Sequence, residues 1–500
     1  MPDGGRLMAS ATPRRVITLS PMPSEKCAFA LARYSRSPDS IRDSLNWVRT
    51  HDSAKFLESF YFQYGHASIA DLGHVVLCFE GISELAATEI EDEQLWDGQA
   101  RSSRYQDFSE SGLVTPPEFD ETEAGVYRQA AARLLDGYKE IHARVFQHLA
   151  GKLARPETMS AAVYERNVKA RAFDVARYLL CFGIPTGVGQ VTSIRTLERQ
   201  VRRLKASAYQ ELRELAGEIA EACAEAPRLR WDDSGAGDAV APTLARHLDA
   251  DEHLKQSRED LRAWVTQNLP KDHLKYDDWS SIDDVDLVKP SNTSADIVAT
   301  LLYPASDRPY RDLYEMACAW NAARRSEVID VALRSGDKGA KAKGARTKRD
   351  ELLGNFRSAP YVFDIVMDIG AYRDLHRHRR CQQFRQDYST KLGFATPDTI
   401  VEAGLSELYA NLLSQATNAA ASLCVPGAHY LIPFAARSRF LFKMDFAEAE
   451  YIARLRSGVK GHFSYRRIAW EMKQKMCSLE PELGRLMEAT PPWVEDPLQR

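Results

Sequence analysis

The sequence has no large excess of charge of either sign. Its 66 lysine and arginine residues nearly balance its 70 aspartate and glutamate residues, which leaves a formal net charge of −4. This balance argues against a general nucleic-acid coat and against a protein that binds membrane surfaces by charge. No run of about 18 apolar residues occurs, so no membrane-spanning helix is expected. Apolar residues nevertheless make up 44% of the chain, enough for sizeable cores.

Paired cysteines are also missing. The eight cysteines are scattered, and none of them forms a CxxC pair, so neither a zinc site nor a disulfide framework is expected. Several of them lie inside apolar runs, which is typical of buried thiols in a reducing compartment, and we expect a cytoplasmic protein. Residues 1–15 contain no apolar core of a secretory signal and are expected to be a disordered lead-in.

Two pairs of segments repeat in the same order along the chain. The first pair is RYQDFSESGLVTPPEF at 104–119 and FRQDYSTKLGFATPDTI at 384–400. The second pair is ARYLLCFGIPTGVGQVTS at 176–193 and AHYLIPFAARSRFLFKMD at 428–445. Self-similarity of this kind indicates a repeated structural unit, so we predict a tandem duplication.

The predicted fold class is α+β, with two tandem units that each contain a small antiparallel sheet flanked by helices. The strand-like runs at 75–79 and 362–367 should be equivalent strands. The predicted boundaries are a first unit at 16–228, a partly helical connector at 229–295, a second unit at 296–488 and a tail at 489–500. The loop at 334–349 is rich in glycine and lysine and reads as an exposed insertion, although it could instead contact phosphates.

The first unit resembles a known family. The segment GHASIADLGHVVLCFEGISELAATEIEDEQLWDGQARSSRY at 65–105 is similar to the N-terminal core of flavin-dependent thymidylate synthases of the ThyX type. That family carries the signature Arg-His-Arg-x-x-Ser-x-Asn-Glu-x-Ser-x-Arg-Tyr, which is divided between the two units here. Unit two carries its front as Arg377-His378-Arg379, and unit one carries its back as Ser102-Ser103-Arg104-Tyr105.

A later family motif, Ala-Arg followed by Asn-x-Arg, is also matched. Unit one matches it through Ala176-Arg177 and through Ser193 and Arg195, whereas the late helical arginine of the family is kept in unit two as Arg456.

The departures from the family pattern are systematic. Asp92-Glu93-Gln94 stands in unit one where the family has Arg-His-Arg, His429 in unit two replaces the arginine at Arg177, and the signature end is shortened in unit two to 385–388.

The resemblance implies FAD as the cofactor and dUMP, methylenetetrahydrofolate and NADPH as small-molecule partners, with no metal. Since the family needs no enzyme nucleophile, no catalytic residue is assigned. The residues that the resemblance assigns to the nucleotide are Ser102, Arg104, Tyr105, Arg177, Arg377 and Arg456. Those that it assigns to the flavin are His66, Ser68, Ser193, Arg195, His378 and Arg379.

The residue types fit these roles, but each has a simpler alternative. Arginine forks match phosphate bidentately, yet single arginines often form helix surface pairs with acids. His66 could be a turn histidine, and Cys381 reads as a buried thiol. The run Arg377–Arg380 is harder to explain as an ordinary surface segment, because four adjacent cations repel one another unless an anion or acid cluster faces them.

The losses in the two units are complementary. Unit one keeps the nucleotide-binding residues that the family draws from one subunit. Unit two keeps the residues that the family draws from the neighbouring subunit. We therefore expect one composite nucleotide site between unlike units, within one chain or across a homodimer that forms a pseudo-tetramer of units. The reciprocal pocket, with Asp92 and Glu93 opposite Asp387, should repel a phosphate and be closed or reassigned.

Three functions follow from these observations. The first is an FAD-dependent thymidylate synthase that methylates dUMP to dTMP. The second is a noncatalytic flavin- or nucleotide-binding paralogue with a structural or regulatory role. A third, an RNA-binding protein using Arg377–Arg380, is disfavoured by the near-neutral net charge and by the absence of an aromatic stacking motif.

Overall fold

The fold is taken from a computed structural model, which describes residues 22–34, 40–59, 67–104, 106–227, 239–270, 283–334 and 353–499. Two residues predicted for the site, His66 and Tyr105, lie outside the described residues, as do the predicted lead-in at 1–15 and the basic loop beyond Arg334. None of the helices in these ranges is long and apolar enough to cross a membrane.

Helices make up most of the described chain. In chain order they are α1 (Ser24–Tyr34), α2 (Ile41–Thr50), α3 (Ser53–Leu57), α4 (Glu84–Glu91), α5 (Glu121–Lys152), α6 (Ala161–Ala176), α7 (Ile194–Lys205), α8 (Gln210–Ala224), α9 (Pro242–Ala245), α10 (Glu252–Asn268), α11 (Thr293–Leu302), α12 (Tyr310–Ala319), α13 (Ala322–Leu333), α14 (Ile369–Leu375), α15 (Asp398–Glu402), α16 (Ser406–Ala420), α17 (Phe446–Arg456), α18 (Phe463–Leu479) and α19 (Pro481–Gly484). Short 3-10 helices lie at Ala67–Leu72, Arg177–Leu179, Tyr303–Ala305, Gly354–Phe356 and Gly427–Leu431.

The strands form two small antiparallel sheets. They are β1 (His74–Ser83), β2 (Asp97–Ala100), β3 (Pro185–Ser193), β4 (Val285–Val288), β5 (Tyr361–Asp368), β6 (Gln382–Arg385) and β7 (Arg437–Met444). The first sheet has the order β1-β3-β2 and the second has the order β4-β5-β7-β6. The predicted α+β class is confirmed, and the two predicted strands fall within β1 and β5. The edge strand β4 comes from the segment that the sequence assigned to the connector.

The two units share one order of elements. β1, α4, β2, β3 and α7 in unit one correspond to β5, α14, β6, β7 and α17 in unit two. Equivalent residues also begin equivalent helices. Ser83 and Asp368 cap α4 and α14 by accepting hydrogen bonds from backbone amides, and Ser193 and Asp445 do the same for α7 and α17. Such caps satisfy amides that the first helical turn leaves without partners, so each helix starts directly after its strand.

One glycine marks a local difference between the sheets. Gly81 has a φ of +69° at an irregularity in the pairing of β1 with β3, whereas β5 pairs with β7 without interruption. Glycine adopts this left-handed conformation at no steric cost, and it allows β1 to carry one extra residue.

The units contact each other through a symmetric exchange of backbone hydrogen bonds. Cys181 of unit one and Pro433 of unit two form an antiparallel bridge. The Phe182 amide donates to the Ile432 carbonyl at 3.2 Å, and the Phe434 amide, its counterpart in unit two, donates to the Leu180 carbonyl at 2.8 Å. The units are therefore related by a local pseudo-twofold axis that passes between Cys181 and Pro433.

Both units contribute to one large hydrophobic core. It includes residues of α5 and β3 from unit one together with residues of β5, α16 and α18 from unit two. A second core packs α10–α13 against sheet two, where Val362 of β5 and Leu441 of β7 are fully buried. Arg177, one of the residues predicted for the site, lies where the two units meet.

Candidate functional site

A buried carboxylate of unit two lies at the centre of the contact between the units. Asp374 stands near the end of α14, and its carboxylate Oδ2 lies 3.3 Å from Nη1 of Arg177, which comes from unit one. Arg177 is itself buried and donates from Nη2 to the Gly370 carbonyl at 3.1 Å. Its Nε is buried with no hydrogen-bond partner among the described residues. Arg177 therefore retains one unused donor beside Asp374.

Four arginines act together on Asp374. Burial would raise the pKa of Asp374, but Arg177, Arg104, Arg377 and Arg456 lower it, in that order of strength, and together hold it below its ordinary value. Two of these arginines come from each unit. An opposite charge favours the ionised form of a carboxyl group, so the four guanidinium groups together favour the ionised Asp374 carboxylate.

Arg104 is held in a fixed position. It forms a two-pronged pair with Asp174 of α6, with distances of 2.9 Å from Nε to Oδ1 and 3.3 Å from Nη2 to Oδ2. Its Nη1 donates to the Tyr465 hydroxyl at 2.8 Å, and Nη2 also donates to the Lys460 carbonyl at 3.1 Å. Burial would lower the pKa of Arg104, but Asp174 raises it, so the guanidinium keeps its charge.

Tyr465 joins the arginines of the two units. The guanidinium carbons of Arg104 and Arg456 each lie 5.6 Å from the centre of the Tyr465 ring. Aromatic faces attract cations at this distance. One ring of α18 therefore holds a unit-one and a unit-two arginine close together within a single chain.

Arg377 has fewer partners than the other three arginines. It is half-buried and forms no hydrogen bond or ion pair with any described residue, although it acts on both Asp374 and Glu84 through space. The neighbouring Arg373, which the sequence did not single out, is buried. It pairs with Glu84 at 2.7 Å and donates to the Ser103 hydroxyl at 2.9 Å.

A cleft of about 620 Å³ opens beside this arginine cluster. Both units line it, through Asp71, His74, Gln94, Leu95, Trp96, Asp97, Val191, Thr192, Ser193, Arg377, His378, Arg379, Arg380, Glu448 and Tyr451. Arg379 lies over the Trp96 ring at 4.8 Å and pairs with Asp97 at 3.1 Å. A groove of about 360 Å³ on sheet one shares Asp97, Val191 and Arg379 with the cleft, so the two are adjacent. Small-molecule sites occupy roughly 300–1,000 Å³.

The residues predicted for the flavin are only partly brought together. Ser193, His378 and Arg379 line the cleft. Neither Arg195 nor Ser68 is among its lining residues. Arg195 pairs with Asp71 at 3.1 Å, and Ser68 is exposed on the 3-10 helix that also carries Asp71. Their role as cofactor ligands stays a prediction.

His378 has both ring nitrogens engaged by protein groups. Its Nε2 lies 2.8 Å from Nε of Arg456, and its Nδ1 lies 3.3 Å from Oε1 of Glu448. Among the residues predicted for the nucleotide, Ser102 makes a local bond by accepting from the Arg104 amide at 3.3 Å.

The pseudo-equivalent position on the other side of the axis contains an ion-pair cluster. Glu93 contacts Arg199 at 2.7 Å and Arg203 at 3.0 Å. Arg385 of unit two binds both Glu89 and Asp92. Asp387, which the sequence predicted opposite these acids, pairs with Arg262 at 2.7 Å. His429, which stands where unit one has Arg177, contacts the Tyr209 hydroxyl at 2.7 Å.

The sequence did contain a signal for one of the missed residues. The basic run at 377–380 pointed to an acid or anion nearby, and Asp374 stands three residues before it, near the end of α14. Tyr465, Asp174 and Glu448 had no such signal, because they approach the site from other helices.

Comparison with known families identifies the chain's relatives. The family model described as "Thymidylate synthase complementing protein" matches residues 15–227 and 317–482. The chain belongs to this family. The two matched segments fall in the two units, which agrees with a duplicated member of the thymidylate synthase complementing proteins.

Related sequences extend over nearly the whole chain. A UPF0159 protein of Chlamydia muridarum is 24% identical over 447 residues and covers 86% of this chain and 79% of its own. A UPF0159 protein of Thermoplasma acidophilum is 24% identical over 500 residues and covers 92% of this chain and 94% of its own. Thymidylate synthase X of Helicobacter pylori, solved with FAD and dUMP, is 15% identical with a TM-score of 0.23, and covers 40% of this chain and 88% of that chain.

Proposed function

We propose that this family member is an FAD-dependent thymidylate synthase-like protein that methylates dUMP to dTMP with methylenetetrahydrofolate and NADPH. The observation that carries this proposal is that Tyr465 contacts both Arg104 of unit one and Arg456 of unit two, while Asp374 of unit two contacts Arg177 of unit one. These contacts lie within one chain, which supports a composite site formed without a second copy. A homodimer stays a separate prediction.

The charge of the cluster suits a phosphate monoester. Arg104 pairs with Asp174 and Arg177 pairs with Asp374, whereas Arg377 and Arg456 have no carboxylate partner among the described residues. About two positive charges are therefore left for a ligand, which matches the dianion of a nucleoside monophosphate. Arginine forks placed near a pyrimidine would also stabilise negative charge that develops on its carbonyl oxygens.

The adjacent cleft and groove suit a flavin dinucleotide. Tyr451, which is 43% exposed, offers flat apolar surface, and Arg379, which lies over the buried Trp96 ring, offers a cation for a pyrophosphate. When bound, the flavin supplies the reducing equivalents of the reaction. The chain's own part is to bind the nucleotide beside it, orient both ligands and neutralise their charge.

Titration with dUMP tests the nucleotide site. Wild-type protein should saturate at one nucleotide per chain, and Arg377→Ala should weaken binding by about tenfold or more, since a hydrogen-bonded charge contributes roughly 1.5–3 kcal/mol. Arg454→Ala is the matched control, because Arg454 lies on α17 beside Arg456 but forms an exposed pair with Glu450. Two equivalent sites per chain, or equal affinity of both variants, would contradict the proposal.

A noncatalytic paralogue is a second candidate, and one observation favours it. Asp374 places a protein carboxylate inside the arginine cluster, where it neutralises charge that a substrate would otherwise use. NADPH oxidation separates the two candidates. An enzyme should oxidise NADPH in a reaction that depends on dUMP and yields dTMP, whereas a binding paralogue should take up dUMP and flavin without that turnover.

A further inference from the structure

Glu448, His378 and Arg456 form a hydrogen-bonded chain that links the cleft to the arginine cluster. Nε of Arg456 donates to Nε2 of His378 at 2.8 Å, and Nδ1 of His378 lies 3.3 Å from Oε1 of Glu448. His378 and Glu448 are both buried. The chain crosses between elements, because His378 follows α14 while Glu448 and Arg456 lie on α17.

The contacts assign one protonation state to the imidazole. A guanidinium can only donate, so Nε2 of His378 must be an unprotonated acceptor. The single ring proton is then on Nδ1, where it is donated to the Glu448 carboxylate. Burial lowers the pKa of His378, and Arg456 and Arg379 lower it further while Glu448 opposes them, which is consistent with a neutral ring.

The hydrogen bond to His378 leaves the two terminal amino groups of Arg456 available for a ligand. Arg456 bonds through Nε alone, so neither of its terminal amino groups has a hydrogen-bond partner among the described residues. With Nε held by His378 and the guanidinium over Tyr465, the remaining fork has the geometry that binds phosphate bidentately. His378, by contrast, has no free ring nitrogen for a cofactor.

We propose that His378 is a positioning residue that orients Arg456 for the nucleotide, and that Glu448 maintains the required tautomer of His378. This assigns His378 a different role from the flavin contact that the family resemblance implied. The nucleotide part of the inference rests on the proposed function, whereas the hydrogen bond itself does not. A histidine that merely fills the core would have no effect on Arg456.

Side-chain nitrogen NMR of the full chain tests the hydrogen bond without any ligand. The protein is labelled at its 12 histidines, and the His378 signals are assigned by their loss in His378→Gln. The expected pattern is a protonated Nδ1 and an unprotonated Nε2, with the Nε2 signal shifting in Arg456→Ala. A protonated Nε2, or a signal that ignores Arg456→Ala, would overturn the proposal.

A pair of variants tests the consequence for binding. The amide oxygen of glutamine can reach the place of Nε2, whereas that of asparagine reaches only the place of Nδ1. His378→Gln should therefore keep most of the dUMP affinity, and His378→Asn should lose about tenfold. His378→Asn combined with Arg456→Ala should bind no more weakly than Arg456→Ala alone, because both changes remove one interaction.

Flavin content provides the remaining control. Flavin absorbance per chain should be the same in His378→Asn and in wild-type protein if His378 acts on Arg456 alone. Loss of flavin in His378→Asn, or additive losses of dUMP affinity in the double variant, would overturn the proposal. If wild-type protein binds no dUMP, the proposed function fails, and the nitrogen signals still decide whether His378 holds Arg456.

Discussion

The helices α4 and α14 place a carboxylate at the same position, counted from their N-caps, but surround it with different charges. Asp374 on α14 faces four arginines, two of which have no carboxylate partner among the described residues. Glu89 on α4 belongs to a cluster in which Glu89, Asp92 and Glu93 are matched by Arg199, Arg203 and Arg385. One position has cations left for a ligand, whereas the other is internally balanced.

The sheets of the two units also differ, in how far their outer faces are exposed. In sheet one the outer face is open, with Val76 69% exposed and Val191 43% exposed. In sheet two every residue of β5 is buried, because α10–α13 cover its outer face. Unit two has thus become a supported scaffold, and unit one keeps the open surface beside the cleft. Duplication has allowed the two copies of one fold to take different physical roles.

Substitution of Arg385 should show that the ion-pair cluster around Glu89 stabilises the fold. Arg385→Ala removes the ion-pair partner of Asp92 and one of the two arginine partners of Glu89, and should lower the free energy of unfolding by about 3 kcal/mol. Urea denaturation measures this change. Arg454→Ala, at an exposed pair, should stay within about 0.5 kcal/mol of wild type. Equal stability of the two variants would mean that the clusters do not differ as described.

In contrast to Arg385→Ala, the effect of Asp374→Asn should depend on the ligand, because this substitution removes negative charge from a cluster that is proposed to bind an anion. The four arginines then repel one another, and the ligand-free protein should lose about 2 kcal/mol. Added dUMP should raise the melting temperature more in this variant than in wild type, since it replaces the lost charge. Asp387→Asn, at the exposed pair with Arg262, is the control. Identical ligand-induced shifts in all three proteins would refute this explanation.

The smallest expected effect is a difference in pH dependence. The pKa of Asp374 is lowered in the folded protein, so its contribution to stability is complete above the unfolded pKa of about 3.9 and is lost as the pH falls through the folded pKa. Wild-type protein should therefore lose stability more steeply than Asp374→Asn below about pH 4. Free energies of unfolding measured across this range check the prediction, and parallel curves would contradict it.

Much of the fold could be predicted, because local sequence patterns indicate its strands and its repeat. Apolar runs predicted β1 and β5, and the matched segments around Ala176 and Ala428 predicted the duplication. The helical cover of sheet two and the edge strand β4 were not predicted, because both pairs of matched segments lie after β1 and β5 in the chain and carry no information on the elements before those strands.

The sequence predicted the arginines of the candidate site but not the carboxylates that pair with them. Family motifs pointed to Arg104, Arg177, Arg377 and Arg456, which share Asp374 as a neighbour. The pairing of Arg104 with Asp174 could not be read from the sequence, because α6 lies far away along the chain and no motif marks it. The engagement of His378 by Glu448 depends in turn on how α17 packs against the end of α14.

The pseudo-twofold axis has a consequence for how this protein can change over generations. In a symmetric homodimer every substitution occurs in both copies of a site, so neither site can drift alone. Here the two halves are encoded separately, and a change in Arg377 or Arg385 affects one side only. Cys181 and Pro433 are exceptions, because they face each other on the axis and hold both halves at once. Substitutions there should be tolerated least, whatever either half binds.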